Sequence, residues 1–237
     1  ADQALELAAE NIREGRENGH ALTFCSVLGQ SAGLLAFFAG DYDAAQRHGT
    51  ELLGHAERHS IRLWALWARA FNAMIVVKRG DVETGLPLLR EELNRAGDAR
   101  FLPRFLPLLG ELSACFGEAG QVDRGLAGIE EILKRCNDRQ EQWYLPELIR
   151  IKGELLLKDA QSSAAEACFH EAMEIASQQG ARFWQLRCAI SIARLRIAQG
   201  QTADAAQVLE GACRPLTEGI GIVDMRVARD LIEQLRH

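Results

Sequence analysis

The sequence predicts an all-α protein of about five stacked helix-turn-helix units, each forty residues long, followed by a terminal helix. Three in-phase series predict it. Glycine falls at Gly40, Gly80, Gly120 and Gly200, with Ala160 at the one missing step. Asp or Gln follows each of these positions, and four residues later stands a very small residue: Ala45, Gly85, Gly125, Ala165 and Ala205. Seven residues before each punctuating position stands another: Gly33, Ala73, Ser113, Gly153 and Ala193. Self-similarity at this period is the mark of stacked repeats, in which each unit buries its apolar stripe against its neighbours.

Taken in order, residues 3–18 read as the second helix of an interrupted unit spanning 1–19. The first complete unit, 20–60, pairs an apolar helix over 20–39 with a polar one over Tyr42–Arg58. The next units are 61–100 (helices 61–79 and 82–96), 101–140 (101–119 and 122–136), 141–180 (141–158 and 162–179) and 181–218 (181–199 and 202–217). An amphipathic helix over 222–236 closes the stack, as terminal repeats do. Residues 1–237 thus form one repeat domain. Ala, Leu, Glu, Arg and Gln dominate throughout, and all favour helix.

The turn chemistry fits. A glycine after the first helix of each pair suits the left-handed C-cap, and Asp41 and Asp81 are good N-cap residues. The small residues suit the place where two helices cross closely. Gly85 and Gly125 each cost about 1 kcal/mol of helix propensity relative to Ala, so close packing is expected there. Leu53, Leu93, Leu133 and Met173 form one series of larger apolar residues between units; Leu35, Ile75, Cys115, Leu155 and Leu195 form a second.

A net charge of −6 argues against nucleic acid as the main partner, since phosphate binding needs clustered Lys and Arg. The six cysteines show no CxxC spacing, which points to reduced, structural thiols and a cytoplasmic location. No apolar run approaches about 18 residues, so no membrane span is expected, and no signal peptide is visible. The chain starts at Ala1 without an initiator Met, and its first helix lacks a partner before it; a piece of a longer protein is expected.

Catalytic and cofactor patterns are weak. His48, His55 and His59 share a helix, but HAERH lacks the glutamate of HExxH, so a polar outer face is the plainer reading. Gly219-Ile220-Gly221 is a lone GxG without the strand–turn–helix context of a dinucleotide site. Ser31, Ser113 and Ser191 sit in apolar stretches with no GxSxG elbow. Neither an enzyme nor a cofactor or metal site is expected.

At its small and turn residues the chain resembles the tetratricopeptide repeat family. A bulky residue four further on (Leu89, Ile129, Phe169, Leu209) adds to the match, while Gly49 and the forty-residue period depart from the usual pattern. The long period, with the segments Trp143–Leu157, Ala164–Arg187 and Thr217–Leu235, resembles the C-terminal arms of bacterial STAND-type ATPases. These include adenylate-cyclase-linked and LuxR-like transcription regulators. The likeness is good over 141–237 and looser over 20–140, and no GxxxxGK[ST] loop is present.

The resemblance implies a right-handed superhelix acting as a non-catalytic arm for interaction, sensing or both, with an unknown protein or peptide as partner, other domains of the same polypeptide included. A small-molecule effector domain and a homo-oligomerisation scaffold are the alternatives. It also implies a groove lined by the first helices. Phe37, Phe38, Trp67 and Met74 would make an apolar end, and Glu147, Arg150, Glu154, Arg187 and Arg194 a charged end. Arg150 and its fellows would grip a carboxylate or phosphate. In the competing reading the aromatics pack and Arg150 pairs with Glu147 and Glu154.

Overall fold

A computed structural model describes residues 2–219 and 221–236. Among them the regular structure is helical. The chain divides into two compact units, one running to Cys115 and the other starting at Phe116. The division falls inside the third expected repeat, and nothing in the single forty-residue period announces it.

The first unit begins with α1 (Asp2–Glu17) and continues through α2 (Ala21–Ser26), a π-helical stretch over Val27–Gly33, and α3 (Leu34–Ala39). Then come α4 (Tyr42–Arg58), α5 (Arg62–Lys78) and α6 (Val82–Arg95). Two short 3₁₀ turns, Gly97–Phe101 and Pro103–Phe105, replace the expected start of the next helix, so α7 covers only Leu106–Glu118. Pro103 begins the second of these turns: with no N–H to donate, proline suits a helix start.

The second unit holds α8 (Val122–Arg139), α9 (Leu145–Lys158), α10 (Ser162–Gln178), α11 (Arg182–Ala198), α12 (Thr202–Cys213) and α13 (Val223–Leu235). Helix α12 stops four residues before the expected end, where Pro215 follows closely. Consecutive helices pair by packing: α5 with α6, α9 with α10, and α11 with α12.

The turns behave as their residues dictate. Gly80 stands at φ +100°, the left-handed region open to glycine, and Ala160, at the gap in the glycine series, takes the same region at φ +58°. The Oδ1 atoms of Asp41 and Asp81 accept from the Ala44 and Thr84 amides at 2.8 and 3.1 Å, capping α4 and α6. Gln121, Gln161 and Gln201 occupy the same position without a side-chain cap bond. A second set of left-handed residues, Ser60, Gln140 and Gly180, ends the second helix of a pair. Only Gly180 among them carries a sequence signal.

The small residues lie at close crossings in both units. A Cβ on Gly85 would come within 2.9 Å of the Ala73 carbonyl oxygen and 2.5 Å of a Val77 methyl. One on Gly153 would meet the Phe169 ring at 2.4 Å and the Ala165 carbonyl oxygen at 3.1 Å. Gly33 departs from expectation. Its nearest neighbours are the Leu28 carbonyl oxygen, within its own π-helical stretch, and the Phe71 ring, rather than Ala45.

One expectation is corrected. Residues Ala21–Ala39 make a 19-residue helical stretch of mean hydropathy 1.6, long and apolar enough to cross a membrane by length and composition alone. Half of it is buried inside the protein. The reason for its apolarity is visible: a Cβ on Gly29 would strike Trp64 at 2.7 Å and Leu52 at 3.2 Å, so this stretch is wedged between α4 and α5. A helix contacted on several sides keeps few polar positions.

Candidate functional site

The nine residues expected to line a groove divide between the two units. In the first unit Trp67 and Met74 are fully buried and Phe37 nearly so. The Trp67 indole stacks on Phe71 with centroids 4.8 Å apart and planes 16° apart, and its Nε1–H donates to the Arg104 carbonyl at 2.8 Å. Phe37 contacts the rings of Phe38, Tyr42 and Phe71 at 5.7 to 6.1 Å. Phe38 is half-buried. Phe37, Trp67 and Met74 are core, packed within the first unit, so they are not exposed to anchor an apolar segment of a partner; their burial agrees with the competing reading in which the aromatics pack. Lys78 closes an ion pair with the buried Glu111 at 2.6 Å.

In the second unit the charged residues do come together, but on one another. The Glu147 carboxylate, 1% exposed, accepts two hydrogen bonds from Arg150, from Nε and Nη2, each 2.8 Å. The Arg187 guanidinium reaches the same carboxylate at 2.9 Å. Arg150 Nη1 donates to Glu154 and to the Ser191 hydroxyl, both at 3.1 Å, and Ser191 Oγ donates in turn to Glu154 at 2.6 Å. Arg187 continues to Asp224 on α13 at 3.7 Å. Arg194 is exposed, and its charge acts on Asp224.

Two pKa shifts follow from this arrangement. Burial works against the Arg150 charge, but the attraction and hydrogen bonds of Glu147, with Glu154 behind it, win, so Arg150 holds its proton more firmly than usual. Burial pushes the Asp224 carboxyl up, against the pull of Arg187. The network is therefore a set of satisfied charges tying α9, α11 and α13 together, and the expectation that its arginines stand ready for an incoming anion is corrected. Ser191 and Asp224 escaped the sequence reading. A serine in an apolar stretch looks like packing, and Asp224 lies beyond the last full repeat.

The thiols read as structural. Burial raises the pKa of Cys25 and Cys136 to about 11 and that of Cys188 to about 12, so they stay protonated at neutral pH and react slowly. None of the six cysteines is in a disulfide. The His55 and His59 rings lie 4.4 Å apart, and His55 meets the Phe24 ring edge-on at 4.9 Å. Among the described residues no group of three or more His, Cys, Asp or Glu is placed to hold a metal. Ile220, the middle of the GxG, lies outside the described residues.

The second unit also contains a cleft of about 450 Å³ between the last turns of α8, the start of α9 and the middle of α10. Leu133, Leu145 and Ile149 make its apolar floor, with Cys136 and Cys168 beside them. No known protein-family model matches this chain, and no curated protein matches it.

Proposed function

We propose that this chain is a tetratricopeptide-like right-handed α-solenoid whose work is recognition: a non-catalytic interaction and sensing arm of a bacterial signalling or transcription-regulating ATPase. One observation carries the reading. Helical hairpins of one period recur in both units, with small residues at matching crossings such as Gly85 over Ala73 and Gly153 over Ala165. Stacks of this kind have no single pocket as their purpose; they offer extended surface, and recognition is what such surface does.

The partner is a protein or peptide, the remaining domains of the same polypeptide included. Binding alone would not signal. A partner that biases an ATPase between two states must bind them with different affinity.

The first test is the complete reading frame that encodes these residues. A P-loop ATPase in that frame supports the arm reading, and a frame without one sinks it. Given such a frame, ATP hydrolysis is measured with and without residues 1–237. An unchanged rate and an unchanged response to the partner would remove the regulatory role. Sedimentation across a concentration range separates a homo-oligomeric scaffold, whose mass rises with concentration, from an arm that stays monomeric.

A further inference from the structure

We infer that the cleft between α8, α9 and α10 binds a small organic cation, an amine carried on an apolar body. Its volume, about 450 Å³, lies within the range of small-molecule sites, roughly 300–1,000 Å³. The floor of leucine and isoleucine side chains suits an aliphatic or aromatic body. Cys136 lines the cleft at 3% exposure with its thiol outside any disulfide.

The rim sets the charge of the ligand. Glu141 and Glu171 both line the cleft, and among the described residues neither takes part in an ion pair, unlike Lys152. Each bears on a thiol of the wall, Glu141 on Cys136 and Glu171 on Cys168, and helps to keep it protonated. The one cation in the lining, Lys152, already has Glu130 as counter-ion at 3.3 Å. Arg139 acts on Cys136 but does not line the cleft. Two carboxylates and one ammonium, paired with Glu130, thus line a cleft of mixed polar and apolar walls, which leaves its lining net negative. An ammonium head reaching them would gain charge-assisted hydrogen bonds while its body displaces water from the floor. The amides of Asn137, Gln140 and Gln142 supply further acceptors at the mouth.

This site stands independently of which partner the repeat surface holds, and its test uses the chain alone. The probe is phenethylammonium chloride, with 3-phenylpropionate as the anion and 3-phenylpropanol as the neutral control. Melting temperature and the rate of N-ethylmaleimide labelling at each cysteine are read together by fluorimetry and peptide mass spectrometry. Phenethylammonium at millimolar concentration is expected to raise the melting temperature and slow labelling of Cys168. Cys213 on α12, outside the cleft, keeps its rate. Glu141→Gln with Glu171→Gln, the first half-buried and the second exposed, should weaken the amine about tenfold or more, and Leu133→Trp should remove the effect by filling the floor. Circular dichroism establishes that each variant folds. Protection by the anion equal to that by the amine, no protection by any probe, or an amine effect that survives the double substitution would each overturn the assignment.

Discussion

One position of the repeat is buried in both units and carries opposite chemistry. Trp67, Ala70 and Met74 on α5 correspond, eighty residues on, to Glu147, Arg150 and Glu154 on α9. Trp67 and Met74 have no exposure and Glu147 has 1%, so the backbone asks for burial at the first of these positions in either unit. In the first unit it is met by an indole stacked on Phe71, with a single polar bond to the Arg104 carbonyl. In the second it is met by a carboxylate holding two guanidinium groups. Aromatic packing stabilises by area and close contact, and its loss costs in proportion to the apolar surface and cavity left behind. A buried ionic set tolerates no loss of a member, because each charge left behind is desolvated without compensation.

That difference can be broken most sharply at Glu147. Glu147→Ala takes the shared counter-ion from the partly buried Arg150 and Arg187, leaving them Glu154 and Asp224, and a loss of up to about 3–5 kcal/mol is expected in urea unfolding followed on the second unit. Replacing Glu147, Arg150 and Arg187 together with apolar residues of similar size should restore most of that loss. If the single change costs no more than an exposed pair, the network is ornamental and the comparison fails.

Gly153→Ala is expected to destabilise by about 1–3 kcal/mol, since the new methyl meets the Phe169 ring inside contact distance and forces the α9–α10 crossing apart. Ala165→Leu, at the same crossing, should cost a similar amount. Unchanged melting temperatures for both would discredit the crossing as the tight point of the hairpin.

A smaller effect separates the units by pH. In the first unit, burial lowers the His48 and His55 pKa values below 6.5, and His59 adds to the shift at His55. The unfolded chain then takes up protons first as the pH falls. Stability is full above about 6.5 and is lost as pH drops through the histidine range. His55→Leu should flatten this dependence; the same slope in wild type and variant would exonerate His55. Asp224 in the second unit has the opposite sign. Its carboxyl is pushed up, so its contribution favours the folded state at low pH and declines as pH rises through the carboxylate range.

The smallest change is at the turn. Ala160→Gly replaces the one residue of its series that lacks glycine's freedom at positive φ and should stabilise by up to about 1 kcal/mol. A decrease in thermal stability would mean that the Ala160 methyl makes a contact worth more than the strain.

Much of the fold was legible in advance because it is written in local rules. Spacing of small residues placed the hairpins, Gly80 and its counterparts placed the left-handed turns, and Asp41 and Asp81 placed two caps. Each depends only on residues close in sequence. The site was far less legible. Phe37 and Trp67 carry the same side chains whether they face a partner or a neighbouring helix. The pairing of Arg150 with Glu147 and Glu154 is open to the sequence, being within one helix, but the share that Arg187 takes of Glu147 appears only when α9 and α11 meet. Ser191 and Asp224 acquire a role only through that meeting. The cleft beside Cys136 and Cys168 exists because three helices leave a space between them.

The sequence by itself determined the period, the helical class and the positions that must be small, since steric limits and backbone φ are properties of single residues and near neighbours. Spacing along one helix could offer the pairs of Arg150 with Glu147 and Glu154, but the tertiary structure alone decided that Arg187 and Asp224 join them and that Glu141 and Glu171 line a cleft. Pairing and desolvation across helices depend on distances that no spacing along the chain encodes.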